Sequence, residues 1–115
     1  MTITLLFKKL LPSLREKKRY VVYEILSDKG VNAGQAREAI YNNLLKMMGE
    51  IELGRAGMQI LPDYTMQRGI IKISNKYVDT LKASFALMEK INNNKVIVAS
   101  RGVSGAINKA RSKFM

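Results

Sequence analysis

A run of cations leads directly into an apolar run near the start of the chain. Residues 15–19 read Arg-Glu-Lys-Lys-Arg, and residues 20–26 read Tyr-Val-Val-Tyr-Glu-Ile-Leu. Short runs rich in β-branched and aromatic side chains are typical of a strand that is covered on at least one face. Lys and Arg are also the side chains that bind phosphate. The sequence therefore predicts a central strand with an anion-binding cluster at its start.

Side chains that could make the chain a catalyst by itself are scarce. It has no histidine and no cysteine, and nine carboxylates are scattered over 115 residues. These absences exclude imidazole general-base chemistry, a cysteine nucleophile, thiolate or imidazole metal ligands and disulfide bonds. We predict no catalytic residue, no metal site and no cofactor bound by the chain.

The positive charge is concentrated at the two ends of the sequence. The chain has 20 Lys and Arg residues against nine Asp and Glu, which gives a net charge of +11. Residues 1–19 and residues 95–115 each carry +5, whereas the 75 residues between them carry +1. Charge of one sign gathered at two sites is typical of a nucleic-acid-binding protein. Attraction to an anionic membrane, or charge that only increases solubility, would give a similar distribution.

Length and composition favour a single domain, and the charge distribution indicates that this domain binds RNA. A chain of 115 residues with 47% apolar composition fits one compact domain with its own core. We divide it into an N-terminal arm (residues 1–14), a sandwich core (residues 15–100) and a basic turn and helix (residues 101–115).

The N-terminal arm has the pattern of a short amphipathic helix. Its apolar residues recur at roughly helical spacing around Lys8 and Lys9, and Pro12 shortens it. They are Ile3, Leu6, Phe7, Leu10 and Leu14. The stretch is too short to span a bilayer, and packing on the domain is favoured over membrane attachment. We expect a cytoplasmic protein.

The next part of the chain changes from a helical to a strand-like period. Asn32 has the features of a capping-box residue, so a helix should start near Ala33, and Gly49 is expected to end it. Residues 50–74 then predict two strands joined by a bend of about seven to ten residues. Pro62 places the first of these strands at an edge of the sheet.

A second helix, a last strand and a final helix follow. Asn75 is expected to cap the second helix, which ends at the asparagines of residues 92–94. Residues 95–99 are typical of a strand, and Ser104 is expected to cap a basic final helix. The apolar face of the second helix consists of Val78, Leu81, Phe85, Met88 and Ile91. The core order βαββαβ is that of the ferredoxin-like sandwich, an α+β fold that RNA-recognition modules also use.

This topology should bring the two basic ends of the sequence together. The first and last strands of the fold are usually antiparallel neighbours, so residues 17–19 should approach Arg101. Residues 101–106 contain two glycines before a helix, and free N–H groups there can hold a phosphate. A plain turn with a serine cap is an equally good interpretation. The predicted RNA-binding residues are Arg15, Lys17, Lys18, Arg19, Arg68, Lys72, Arg101, Ser104, Lys109, Arg111 and Lys113.

The first strand also has a second face. Successive side chains leave a strand on opposite sides, so Val21, Tyr23 and Ile25 should face the helices. On the other side Glu24 requires a basic partner or solvent. We expect this second face to be open and to be covered by another protein. The predicted protein interface consists of Tyr20, Val22, Glu24 and Leu26.

The sequence lacks the aromatic residues of a standard RNA-recognition motif. Residues 68–73 read Arg-Gly-Ile-Ile-Lys-Ile, where that motif has aromatics that stack on bases. Only Tyr20 or Tyr23 could supply stacking. We therefore expect recognition of RNA backbone and shape.

Three segments occur in an order that is informative as a set. Residues 12–24 read Pro-Ser-Leu-Arg-Glu-Lys-Lys-Arg-Tyr-Val-Val-Tyr-Glu, residues 68–73 follow, and residues 102–105 read Gly-Val-Ser-Gly. Together they resemble the archaeal ribonuclease P protein component 2 family, and the similarity covers nearly all of residues 12–111. Ala106 is a departure, because members of the family usually have threonine after Ser-Gly.

The resemblance implies a protein subunit of the ribonucleoprotein that removes the 5′ leader from precursor tRNA. In that family the RNA subunit, with bound magnesium, carries out the chemistry, so this chain would not be the catalyst. Family members pair with ribonuclease P protein component 3, and two such pairs can join into a heterotetramer. The implied partners are the ribonuclease P RNA, component 3, a second copy of the chain and precursor tRNA.

Two alternatives remain open. A ribosomal or other RNA-scaffold protein would carry similar charge, and it would follow ribosomes in purification. A small acylphosphatase-like hydrolase would hold phosphate with Arg101 and the glycine-rich turn. Those residues follow the last predicted strand instead of the first, and an assay of acyl-phosphate hydrolysis would separate the two functions.

Overall fold

The computed structural model describes residues 17–115, which form an antiparallel sheet with helices on both faces. The elements are β1 (Lys18–Ser27), α1 (Ala33–Ala56), β2 (Gln59–Thr65), β3 (Arg68–Ser74), α2 (Val78–Leu87), β4 (Lys90–Ile91), β5 (Asn94–Ser104) and α3 (Ile107–Phe114). The strands lie in the order β2-β3-β1-β5-β4. The predicted α+β sandwich with a βαββαβ core is confirmed. The predicted N-terminal arm and Arg15 lie outside the described residues.

β1 is the central strand, antiparallel to β3 on one side and to β5 on the other. Val21, Tyr23 and Ile25 are buried in the main core together with side chains from α1 and α2, as predicted. Val22 points to the opposite face and is also fully buried. The run is apolar on both faces because both faces of this strand are covered.

α1 begins as predicted but does not end at Gly49. The Asn32 side chain accepts a hydrogen bond from the backbone N–H of Gln35 at 2.8 Å, and the Gln35 side chain accepts one from the N–H of Asn32 at 3.2 Å. Gly49 has φ 79° and ψ 167°, a conformation that is essentially restricted to glycine. It kinks the helix, which then continues to a left-handed Gly57. The strand predicted within residues 50–74 therefore begins only at Gln59, and Leu53 belongs to the helix.

β2 and β3 form a hairpin with a much tighter turn than predicted. Met66 and Gln67 are the two residues between the strands, and both have positive φ, at 54° and 61°. The Gln67 side chain accepts from the N–H of Val31 at 2.8 Å and donates to the carbonyl of Ile25 at 2.5 Å, which anchors the turn to β1. Pro62 lies in β2, which is an edge strand as predicted.

α2 buries the predicted apolar face, but the elements around it have different bounds. The helix ends at Leu87, and Ile91 lies in the short strand β4. Asn92 and Asn93 have positive φ and form the turn from β4 into β5, so the predicted end of the helix at these residues is wrong. Asn75 lies in a 3-10 turn (Asn75–Tyr77) and no side chain caps α2.

The outer face of the sheet is covered by α3. Ala110 is fully buried against Val22 and Ile70, and Phe114 packs at the margin of this small second core. A Cβ atom added at Gly102 would lie 2.3 Å from the Phe114 ring, so the glycine allows the ring to lie close to β5. Within residues 17–115, no helix is long and apolar enough to cross a membrane.

Candidate nucleic-acid interface

The predicted RNA-binding side chains separate into two groups in space. One group lies where the start of β1 meets the ends of β3 and β5, because Lys18 pairs with Ser74 and Tyr20 pairs with both Lys72 and Ser104. α3 begins just beyond β5, which adds the first turn of that helix to the same region. We call this region the cationic end. Its members are Lys17, Lys18, Arg19, Lys72 and Lys109.

The charges of the cationic end are not neutralised by the described carboxylates. Within residues 17–115, none of its five members forms an ion pair. The Lys18 Nζ lies 3.5 Å from the carbonyl oxygen of Ala56, at the negative end of the α1 dipole. The Lys72 Nζ lies 6.0 Å from the centre of the Tyr20 ring, within cation–π range. These contacts orient the cations without cancelling their charge.

The second group lies along the sheet and is paired with carboxylates. Arg68 Nε is 2.9 Å from one oxygen of Glu24, and Arg101 Nε is 3.5 Å from the other. The Glu24 side chain is only 15% exposed, so its charge requires such partners. Glu24 therefore has the expected basic partner, and it has two of them, Arg68 and Arg101. Arg68 also donates to the carbonyl of Phe114 at 3.2 Å, which ties the end of α3 to the sheet.

Arg111 completes this second group. Its Nε and Nη2 donate to the two oxygens of Asp63 at 2.7 and 3.2 Å, a two-pronged contact between α3 and the edge strand β2. The hydrogen bond from Arg111 lowers the pKa of Asp63, and the same bond raises the pKa of Arg111. We call Arg68, Arg101 and Arg111, with their two carboxylates, the sheet-face pairs.

The predicted approach of residues 17–19 to Arg101 is wrong. β5 was predicted to stop at residue 99, which would place Arg101 beyond the strand. β5 instead continues to Ser104, and Arg101 forms a bulge opposite Val22 and Tyr23. The pairing position is about 13 Å along β1 from Lys18. An acylphosphatase-like hydrolase would need a free Arg101 to hold phosphate. Here Arg101 is paired with Glu24, which argues against that alternative.

Ser104 does not cap the final helix, contrary to the prediction. Its hydroxyl accepts from the N–H of Ala106 at 3.2 Å and lies 3.0 Å from the carbonyl of the same residue, which closes a local turn. Ala106 occupies the N-cap position of α3 and provides no side-chain hydrogen bond. A threonine, usual there in the family that the sequence resembles, could cap the helix.

The predicted protein interface is not an open sheet face. Val22 is fully buried beneath α3, Tyr20 packs against the same small core, and Glu24 is enclosed by two arginines. Leu26 is exposed, at 48%. The physical reason is that the C-terminal helix folds back onto this face, a tertiary contact that the helix pattern alone does not indicate.

The tyrosines are not available as a pair for base stacking. Tyr23 is buried, and its ring centre lies 6.1 Å from that of Phe85 in the main core. Burial, with a smaller contribution from Tyr64, raises the pKa of Tyr23 to about 12. Tyr20 is only partly buried and lies beneath Lys72. Recognition through the cations is therefore favoured over stacking on the sheet.

Two basic residues that the sequence did not single out also lie near the cationic end. Arg55 precedes Ala56, whose carbonyl contacts Lys18, and Lys76 follows Asn75, whose N–H donates to the carbonyl of Lys17 at 2.9 Å. No sequence signal could have placed them there, because these contacts join distant parts of the chain. Within residues 17–115, no group of three or more acidic side chains is arranged to hold a metal ion.

Comparisons with known proteins identify the family. A model described as the Rpp14/Pop5 family matches residues 19–115. Ribonuclease P protein component 2 of Pyrococcus furiosus is 37% identical over 109 residues, which cover 94% of this chain and 91% of the relative. Ribonuclease P protein component 2 of Methanosarcina acetivorans is 30% identical over 108 residues, which cover 94% and 81%.

A solved structure agrees in fold. A chain in the cryo-EM structure of yeast ribonuclease MRP has a TM-score of 0.62 at 14% identity, covering 79% of this chain and 76% of that one. The family match extends over most of the sequence, and the Pyrococcus furiosus relative shares more than a third of its residues along nearly the full length. The chain therefore belongs to the Rpp14/Pop5 family.

Proposed function

We propose that this chain supports the RNA subunit of ribonuclease P while that RNA removes the 5′ leader from precursor tRNA. As an archaeal member of the Rpp14/Pop5 family, the chain is a protein subunit of ribonuclease P. The match over residues 19–115 is the observation that carries this conclusion. The enzyme is the assembled complex. In our proposal the RNA, with its bound magnesium, performs the cleavage, and the chain binds no cofactor itself.

The cationic end is the proposed RNA-binding surface. Its cations form no ion pairs with described carboxylates, so phosphates can take that place and release counterions from the RNA. RNA-recognition modules use the sheet surface for base stacking, but α3 covers that surface here. Contacts from the cationic end would therefore read the RNA backbone and not its base sequence. Lys113, exposed on α3, extends this surface.

The partners in this proposal are the ribonuclease P RNA, ribonuclease P protein component 3 and a second copy of the chain. Two pairs of this chain with component 3 would form a heterotetramer, and precursor tRNA would be bound within the full complex. A cytoplasmic location belongs to the same proposal. The exposed Leu26 is the member of the predicted protein interface that remains available for a partner.

A reconstitution experiment tests the proposed function. Cleavage of precursor tRNA is measured with the RNA subunit alone and with the RNA plus this chain and component 3, over a range of magnesium concentrations. Protein cations replace magnesium in screening the RNA phosphates, so the proteins should raise activity most at low magnesium. The chain without RNA should not cleave. Robust cleavage by RNA-free protein, or no gain from the proteins at any magnesium concentration, would overturn the proposal.

A further inference from the structure

The strand β5 has a neighbouring strand along most of its length on one side only. β1 pairs with β5 as far as Ser104, whereas β4 pairs with only the first two residues of β5. The chain leaves the row of β4 at Glu89, whose carbonyl accepts a hydrogen bond from the N–H of Val96 at 2.9 Å. Within residues 17–115, no strand continues that row beside the rest of β5. This part of β5 is therefore an open edge of the sheet.

The register of β1 and β5 shows which main-chain groups point to the open edge. Ile25 donates to the carbonyl of Gln67 at 2.9 Å and accepts from the Gln67 side chain, so both of its main-chain groups face away from β5. Val98 is the partner of Ile25 in the ladder, and Ser100 lies two residues further along β5. Opposed residues in an antiparallel pair turn their N–H and C=O groups either toward each other or both away. Val98 and Ser100 therefore direct these groups to the open edge.

The outward groups of Val98 and Ser100 are suited to bind an extended polypeptide. They have no hydrogen-bond partner among the described residues. The Val98 side chain is buried in the main core, which fixes the strand, and Ser100 is exposed. Unpaired N–H and C=O groups at a sheet edge are a template for another strand. RNA phosphates only accept hydrogen bonds and would leave the carbonyl groups unpaired, so a protein segment is favoured.

The charge of the open edge favours an acidic partner. Residues 89–104 contain three cations and one carboxylate, which gives a net charge of +2. Arg101 is held by Glu24. Lys90 and Lys95 lie directly opposite each other in the β4–β5 ladder, and neither forms an ion pair in the described part of the chain. Like charges directly opposite are unfavourable, so a carboxylate at the end of an added strand would stabilise this pair.

The chain itself does not supply an acidic strand. Two copies of β5 side by side would bring two edges of charge +2 together, and residues 95–115 contain no carboxylate. Residues 1–15 are also unsuited, because they carry three cations and no carboxylate. Complementary charge therefore selects a strand from another protein over a second copy or the N-terminal segment.

We propose that an extended acidic segment of a partner protein pairs with β5 at Val98 and Ser100 and adds a sixth strand to the sheet. The segment continues the row of β4, which places a carboxylate near Lys90 and Lys95. Alternate side chains of the segment lie beside Ile97, which is 65% exposed. This mode of recognition is strand addition to a sheet edge. It goes beyond the proposed function and does not depend on RNA binding.

Amide hydrogen exchange measured by NMR tests this pairing. The probe is a synthetic peptide of alternating glutamate and valine with blocked ends, added to the isotope-labelled full-length chain without RNA. The N–H groups of Val98 and Ser100 should exchange at least about tenfold more slowly with saturating peptide. Those of Ile97 and Ala99, which face β1, are the internal reference and should change little. No slowing at Val98 and Ser100 would overturn the proposal.

Exchange in the free chain tests the other possible occupants of the edge. Without peptide, Val98 and Ser100 should exchange faster than Ile97 and Ala99, because their N–H groups are unpaired. Slow exchange in a dimer, identified by light scattering, would show that two copies of β5 pair with each other. Slow exchange in a monomer would show that residues 1–16 cover the edge. Either result would overturn the proposal.

A variant at Ser100 tests the main-chain contact. Ser100→Pro removes an outward N–H without removing a hydrogen bond to β1, and Ser100→Ala is the matched control that keeps this N–H. Peptide affinity should fall at least about tenfold in the proline variant and stay nearly unchanged in the alanine variant. If circular dichroism shows that the proline variant is unfolded, a peptide N-methylated at alternate residues tests the same contact on the natural chain. That peptide should also bind at least about tenfold more weakly.

A second peptide tests the charge of the partner. A peptide of alternating lysine and valine should bind the natural chain at least about tenfold more weakly than the glutamate peptide. Equal affinities in this comparison, or equal affinities of the proline and alanine variants, would overturn the proposal. Because no RNA is present in these experiments, such a failure would leave the proposed function intact.

Discussion

The cationic end and the sheet-face pairs contain the same kinds of side chain in different surroundings. Lys17 and Arg19 form no ion pair with any described carboxylate, whereas Arg101 and Arg111 are each held by one. In the sheet-face pairs, the arginines fasten α3 and the strands to one another. At the cationic end, the charge is left for an external anion. Net charge alone therefore does not locate the RNA-binding surface; the positions of the carboxylates do.

The difference has a physical origin in the strands. Glu24 lies in the central strand β1 and pairs with Arg68 and Arg101 of the two neighbouring strands. Asp63 lies in the edge strand β2 and pairs with Arg111 of α3. A partly buried carboxylate needs such partners, because its desolvation is otherwise unfavourable. Residues 95–115 contain no carboxylate, and no described carboxylate pairs with Lys109 in the first turn of α3.

The largest expected effect comes from disrupting the packing of α3 on the sheet. Arg111 and the Phe114 carbonyl that Arg68 contacts both belong to this helix. Gly102→Val would force a side chain into the space of the Phe114 ring. Overpacking of this kind should lower the free energy of unfolding by about 1–3 kcal/mol, measured by urea denaturation. Gly54→Ala is the matched control, because a Cβ there meets nothing within 4 Å. Equal stability of the two variants would contradict the close packing of α3 on β5.

A smaller effect is expected when one arginine of the sheet-face pairs is removed. Arg68→Met deletes the hydrogen bonds to Glu24 and to the Phe114 carbonyl. The expected loss of stability is about 1–1.5 kcal/mol, because Arg101 still pairs with Glu24, and the salt dependence of RNA binding should be nearly unchanged. Arg55→Met is the control, since Arg55 is 69% exposed in its pair with Glu52 and should cost less than about 1 kcal/mol. A flattened salt dependence in the Arg68 variant would place this arginine on the RNA.

The smallest effect concerns the Arg111–Asp63 pair and its pH dependence. Its contribution at neutral pH should be the smallest of the three, because the pair is at the surface and is screened by solvent. Folding lowers the pKa of Asp63 from its ordinary 3.8, so the stabilisation is fully present above that value. It is lost as the pH falls through the folded-state pKa. Urea denaturation from pH 7 to low pH should show that Asp63→Asn and the natural chain converge in acid. A constant difference would contradict this assignment.

The sequence was sufficient for the central strand, the capping box and the order of the core elements. These features depend on local patterns, such as the apolar run of residues 20–26 and the pair Asn32 and Gln35. It was also sufficient to expect a partner for Glu24. Each of these conclusions follows from side-chain chemistry within a few residues.

The wrong predictions of element boundaries arose where one local sequence signal is compatible with two different structures. A glycine with positive φ can end a helix or kink it, and Gly49 kinks α1. Asparagines with positive φ can follow a helix or turn a hairpin, and Asn92 and Asn93 turn β4 into β5. Residues 100–104 have little strand propensity, yet they extend β5 because β1 pairs with them. Tertiary contacts decided each case.

The candidate site was predicted in part for the same reason. The residue types were correct, but the partner of each cation depends on long-range pairing. Arg101 was assigned to the wrong group because β5 is longer than predicted, and Val22 was assigned to an open face because the position of α3 was not known. Neither contact has a signal in the local sequence.

The salt dependence of RNA binding distinguishes the cationic end from the sheet-face pairs as the surface that binds RNA. Two double variants are compared, Lys17→Ala/Arg19→Ala at the cationic end and Arg101→Ala/Arg111→Ala in the sheet-face pairs. Each removes two positive charges, and circular dichroism confirms that both are folded. Affinity for the ribonuclease P RNA is measured at several salt concentrations. Lys18 is retained in both, because its ammonium contacts the Ala56 carbonyl.

Each phosphate that is neutralised contributes about 0.7–0.9 to the slope of log affinity against log salt. The first variant should therefore flatten the slope by about 1.4–1.8 units, and the second by less than about 0.5 units. Loss of affinity in the first variant should be similar for different RNA sequences, because backbone contacts carry no base information. Equal flattening by the two variants, or a greater effect of the Arg101 and Arg111 pair, would contradict the cationic end as the RNA-binding surface.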